Sequence, residues 1–168
     1  MYSNYVPYEV LKNNFMTYEE ISYLKKFETT FQYIYNSKKF LESIKYLEAK
    51  FDSPYELYEY ITNYFIEEKL IDIKMSYDTV VEHLLKMFGE DEVFAQVLTY
   101  DYVNSFKIIR EWMYDKYDVK SEIQDYIKKD AELSEMRPVE INKKFRFIVL
   151  DYNVESKKKE KTIYKFRK

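Results

Sequence analysis

The sequence predicts a mainly α-helical domain, a bundle of about six to seven helices closed by a C-terminal antiparallel β-hairpin, in the α+β class. Three observations carry that expectation. Apolar residues recur at three- and four-residue spacing through most of the chain. The single glycine, Gly89, and the three prolines all fall outside or at the ends of these periodic runs. After Pro138 the period changes to two, in KFRFIVLD (144–151) and KTIYKFR (161–167).

Residues 1–16 have weak periodicity and a proline, and read as an extended arm. Residues 17–136 then form the helical domain, and 137–168 a hairpin packed on it. Thr17 opens the first helix with Glu20 three places on, the pattern of a reciprocal capping box. Leu24, Phe27, Phe31 and Ile34 follow on one face, and Asn36-Ser37 marks the break. Phe40, Ile44, Leu47 and Phe51 make the stripe of the second helix, with Lys39, Glu42, Lys45 and Glu48 opposite as ion-pair support. Ser53-Pro54-Tyr55-Glu56 is a strong start signal, because proline at the first helical position gives up an N–H that has no partner there anyway. That helix buries Leu57, Ile61, Tyr64 and Phe65 and should reach Leu70.

Ser76 opens a fourth helix with Val80, Leu84 and Met87 inward, and Gly89 should end it in a left-handed conformation. Glu90, Asp91 and Glu92 suit the positive end of the next helix dipole, with Val93, Val97 and Tyr100 inward. Residues 104–117 and 120–135 each read as a helix. In the hairpin, Phe145, Phe147 and Val149 share one face, as do Tyr164 and Phe166. An isolated hairpin is marginal in water, so this one must lie on helices or on another sheet.

The composition narrows the chemistry. One glycine cannot build a phosphate-cradling loop, and Cys 0 removes thiolates, disulfides and cysteine-held clusters. One histidine cannot supply a multi-histidine metal site. No nucleophile, base or metal set can be assigned, and the expected catalytic, cofactor-binding and metal residues are none. A net charge of −3 gives no global attraction to nucleic acid or anionic lipid. No apolar run approaches the roughly 20 residues that cross a bilayer, and polar YSNYVPYE follows Met1, so a cytoplasmic, bacterial location is expected.

Four features invite a functional reading, and each has a plainer one. His83 lies between Val80 and Met87 at the edge of an apolar stripe and reads as a packing residue. The pairs Glu19/Glu20, Glu67/Glu68 and Asp91/Glu92 could flank a scissile bond, but they sit at helix ends, where acids are ordinary surface. Residues 153–168 carry a net +5, leaving −8 for 1–152. There Lys157, Lys158, Lys159, Lys161, Lys165 and Arg167 mingle with Tyr164 and Phe166, which could bind single-stranded nucleic acid, yet a solvated hairpin is the simpler account. Trp112, with Ile108, Ile109 and Met113, reads as core rather than as a docking patch.

Three segments together resemble one family: PYEVLKNNFMTYEEI (Pro7 to Ile21), the block from Tyr33 to Phe65 containing YNS and SPYELYE, and VLTYDYVNSFKIIREWM (Val97 to Met113), followed by the closing strands. The chain resembles the uncharacterised C-terminal domain of bacterial cobalamin-binding radical S-adenosylmethionine proteins, the Fe-S oxidoreductases. The resemblance implies a C-terminal fragment of a larger enzyme, with Met1 an initiator added at the excision point. A cobalamin-binding domain and a barrel holding a 4Fe-4S cluster and S-adenosylmethionine would precede it and be its partners. It implies an accessory role near the barrel, no membrane, and no chemistry within these residues. The alternatives are a non-enzymatic protein-interaction module, or nucleic-acid binding by the basic tail. One departure is visible: glycine often follows the YNS turn in that family, and here it is Lys38.

Overall fold

The computed structural model describes residues 15–110, 113 and 119–168; the arm expected over 1–16 lies outside them except for Phe15 and Met16, and so does Trp112. Seven α-helices and one two-stranded antiparallel sheet occur among the described residues. They are α1 (Tyr18–Phe31), α2 (Leu41–Glu48), α3 (Pro54–Glu67), α4 (Tyr77–Phe88), α5 (Glu92–Phe106), α6 (Val119–Lys129), α7 (Pro138–Lys144), β1 (Phe145–Leu150) and β2 (Thr162–Arg167). Two compact units are formed, one from the described parts of 1–38 with 47–83, the other from 39–46 with the described parts of 84–168. No helix among the described residues is long and apolar enough to cross a membrane.

In the first unit, α1 starts where its capping box puts it. The Thr17 N–H donates to Glu20 Oε2 at 2.7 Å, and the Glu20 N–H donates to Thr17 Oγ1 at 3.2 Å. After Phe31 the coil widens into one π-helical turn, Gln32–Asn36, where the Ser37 N–H reaches the Gln32 carbonyl at 3.1 Å. Ile34 is buried as the spacing predicted, whereas Leu24 is exposed. Ser53 caps α3 by accepting from the Glu56 N–H at 3.2 Å, and Pro54 occupies the first turn. Leu57, Tyr58, Ile61 and Phe65 give α3 its buried stripe; the helix stops at Glu67, short of Leu70, because Lys69 turns left-handed.

In the second unit α5 is buried on more than one side: Phe94, Val97, Leu98, Tyr102 and Val103 are all inaccessible. The expected break near Asn104 is absent. The helix continues to Phe106 and ends at Lys107, in the left-handed region. The helix expected over 120–135 stops at Lys129. Asp130 folds back on itself there, its Oδ1 accepting from the Glu132 and Leu133 N–H groups at 3.0 Å each. Pro138 opens α7 rather than a strand, and Glu140 accepts from the Arg137 N–H at 3.3 Å.

The hairpin pairs Phe145 with Arg167 through Leu150 with Thr162. Strand alternation sends its two faces into different clusters. Ile148, Leu150, Tyr164 and Phe166 pack with Val97 and Val103 of α5 and with Tyr152 and Val154. Phe145 and Phe147 pack with Leu133, Ile141, Tyr126 and Ile127. The Tyr164 hydroxyl donates to the Tyr152 carbonyl at 3.4 Å and accepts from the Val154 N–H, which ties the connection to its own strand.

Two backbone findings correct expectation. Gly89 is not left-handed. It is needed for closeness, since a Cβ there would lie 2.3 Å from the Leu85 carbonyl oxygen, which accepts the Gly89 N–H at 2.8 Å. The left-handed residues are instead Lys38, Lys69, Lys107 and Lys157, with φ of 55–56°. A side chain in that region costs about 1 kcal/mol more than glycine does. Exposed Lys38→Gly should therefore raise stability by about 0.5–1 kcal/mol in urea denaturation. Gly89→Ala should lower it by roughly 1–3 kcal/mol, because backbone rather than a mobile side chain must give way.

Candidate functional site

The densest polar geometry lies between α2 and α5, inside the second unit. Helix α2 is only eight residues long and needs its first N–H groups satisfied from outside. Asp101, in the middle of α5 and 4% exposed, does this: its Oδ2 accepts from both the Ser43 N–H and the Ser43 hydroxyl at 2.7 Å. One turn further along α5, the Ser105 hydroxyl donates to the Lys39 carbonyl at 3.0 Å. Toward the other end, the Tyr46 hydroxyl donates to Asp91, 2.9 Å from Oδ2. Asp91 Oδ1 also accepts from the Val93 and Phe94 N–H groups at 3.0 and 3.2 Å, which caps α5. The two helices thus run antiparallel with three polar rungs; α5 caps α2 through Asp101, and Tyr46 of α2 holds the Asp91 carboxylate that caps α5.

Burial pushes the Asp101 carboxyl up to about 6, against the opposing pull of the Ser43 hydrogen bonds. The nearby Glu42 charge adds to the rise. In the first unit, His83 is buried, with Nδ1 3.1 Å from the Tyr64 hydroxyl and the two ring centres 5.7 Å apart. It packs on Tyr64, as its place on the stripe predicted. Burial, then the Glu48 carboxylate, holds the Tyr58 hydroxyl well above its ordinary value.

The acidic pairs divide among helix ends. Glu19 and Glu20 lie in the first turn of α1, Asp91 caps α5 and Glu92 begins it, and Glu67 and Glu68 close α3. Among the described residues no group of three or more His, Cys, Asp or Glu side chains is placed to hold a metal ion. In the basic tail, Lys161 pairs with Glu122 at 2.7 Å, and Lys165 with Asp130 and Glu132 at 3.0 and 3.2 Å. The Lys165 ammonium holds the Asp130 carboxyl below its usual range. Tyr164 and Phe166 are buried in the hairpin's cluster, so bases cannot stack on them. Of the residues grouped with Trp112, Ile109 and Met113 pack on that cluster, while Ile108 is exposed.

Asp101 is the residue that sequence reasoning passed over. Its signal was an unpaired acid inside the apolar run VLTYDYV. A carboxylate there needs a donor, and the donor lies 58 residues earlier.

The model of a family described as proteins of unknown function, DUF4080, matches residues 1–166. The chain belongs to this family. The match to DUF4080 runs from before α1 to the penultimate residue of β2, so it takes in every helix described above. No curated protein and no solved structure matches the DUF4080 chain.

Asp101→Ala should cost about 1–3 kcal/mol, because it strands the buried Ser43 donors. Asp101→Asn keeps an acceptor oxygen and separates the charge from the bond. With a folded value near 6 and an unfolded one near 4, the folded state holds the extra proton between them. That contribution is complete at the acid end and lost as pH rises through about 6. The stability of the wild type relative to Asp101→Asn should therefore fall between about pH 4 and 6 in urea melts.

Proposed function

We propose that this DUF4080 chain is the C-terminal accessory domain of a cobalamin-dependent radical S-adenosylmethionine Fe-S oxidoreductase. It packs near the catalytic barrel, helps to shape or cover the substrate cavity, and performs no chemistry itself. The observation that carries this reading is the use made of the buried polar groups. Asp101 and Asp91 hold helix starts, and His83 packs on Tyr64. These three side chains serve to hold helices in place. The segments that resemble the C-terminal region of such enzymes supply the setting.

The iron–sulfur cluster of that setting does not fit this chain. Iron–sulfur clusters are held by thiolates, and the sequence has Cys 0. Cluster, S-adenosylmethionine and cobalamin would be held by the preceding domains. The contribution of this chain is physical: radical intermediates need water and stray hydrogen donors kept away, and covering elements do that.

Exposed apolar residues of the first unit also favour a second reading, docking to a separate protein. Tyr18, Leu24, Tyr55 and Tyr60 are each at least half exposed, and Tyr55 stacks on Phe27 at 5.6 Å.

Removing this domain from the full-length enzyme separates the two readings. Under the accessory role, cluster loading persists, while substrate turnover falls and abortive cleavage of S-adenosylmethionine without substrate rises. Unchanged turnover, coupling and stability in the truncated enzyme would refute it.

A further inference from the structure

We propose that the groove between α6 and α7 receives an amphipathic α-helix carrying acidic side chains beside its apolar stripe. This concerns a face of the chain itself, holds whichever polypeptide supplies the helix, and does not rest on the parent-enzyme reading. Ile123 and Ile127, one helical turn apart, form one wall of the groove, and Pro138 and Ile141 form the other. The groove is open to solvent and has a volume of about 570 Å³. A water's share of liquid volume is about 30 Å³, so the groove holds several side chains rather than an ion.

The floor is already rigid. Ile127 and Ile141 are packed from behind by the cluster of Leu133 and Phe145, so docking need not order the walls. Two neighbouring helices offer a channel into which the ridge of a third fits, with anchors at three- and four-residue spacing. The Ile123–Ile127 stretch rises about 6 Å, which suits about one turn of a partner helix.

Charge sets the class of partner. Among the described lining residues Lys128 is the one that ionises. Its carboxylate neighbour Asp125 lies at 3.4 Å, with both side chains more than 60% exposed. Such a pair is weakly held and can be exchanged for an incoming carboxylate. Lys129 next to it, and Lys143 and Lys144 at the end of α7, are exposed cations as well. A helix with acidic flanks meets matching charge, and a helix with basic flanks is repelled.

The test uses the whole 168-residue chain and two synthetic helical peptides of the same leucine stripe, one flanked by Glu and the other by Lys. Fluorescence anisotropy should give binding about tenfold tighter for the Glu peptide at low salt. Amide NMR shifts should centre on Ile123 and Asn142. Lys128→Glu should abolish the preference, and Ile123→Asp should abolish binding of both peptides. Circular dichroism checks that each variant folds. Equal binding of the two peptides, shifts centred elsewhere, or an undiminished preference in Lys128→Glu would overturn the proposal. So would no binding at all, or self-association lost in Ile123→Asp, which would make the occupant a second copy of the chain.

Discussion

A buried carboxylate that must find donors organises the second unit. Asp101 sits among Phe94, Val97, Leu98 and Tyr102 on α5, where an unpaired charge would be expensive. The first turn of α2 has N–H groups that need acceptors, and α2 is too short to persist alone. Joining the two needs solves both problems and fixes the helices in register, with Lys39 opposite Ser105 and Ser43 opposite Asp101. Tyr46 on Asp91 closes the far end of the same register. Apolar packing alone would tolerate a slide of one turn; three polar rungs do not.

That register places the face of α5 on which the hairpin rests. Val97 and Val103 meet Ile148, Leu150, Tyr164 and Phe166, while the opposite side of the same strands meets Leu133 and Ile141. A two-stranded sheet has little stability of its own, and here both of its faces are covered. The hairpin acts as a wedge between two apolar clusters. Lys165 shows how a charged residue fits such a wedge: its ammonium lies over the Phe145 ring, 5.3 Å from the ring centre, and reaches Asp130 at 3.0 Å.

The four left-handed lysines show another side of the physics. A chain with one glycine still has to end helices and turn loops. It does so with lysine at Lys38, Lys69, Lys107 and Lys157, and spends its glycine where backbone comes too close for any Cβ. The single glycine does follow the end of α4, at Phe88, but without a left-handed conformation, and the ends of α3 and α5 carry no glycine. The lysines at those ends look like any surface lysine in the one-dimensional pattern, which is why α3 and α5 end elsewhere than the periodicity suggested.

By itself the sequence determined the class of fold, the starts of α1, α3 and α4, the inward stripe of α3, the packing role of His83 and the two strands of the hairpin. Each of these rests on interactions spanning a few residues: a cap three places away, a repeat of 3.6 or of 2. Only the tertiary structure decided where α5 and α6 end, that Pro138 opens a helix, that both hairpin faces are buried, and that Asp101 caps α2. The end of α6 and the start of α7 rest on short-range caps at Asp130 and Arg137 that the apolar periodicity did not reveal, whereas the cap on α2 depends on a partner 58 residues away along the chain. A side chain's need for such a partner is visible in sequence, but the partner's identity is not, because only folding brings the two within hydrogen-bonding distance.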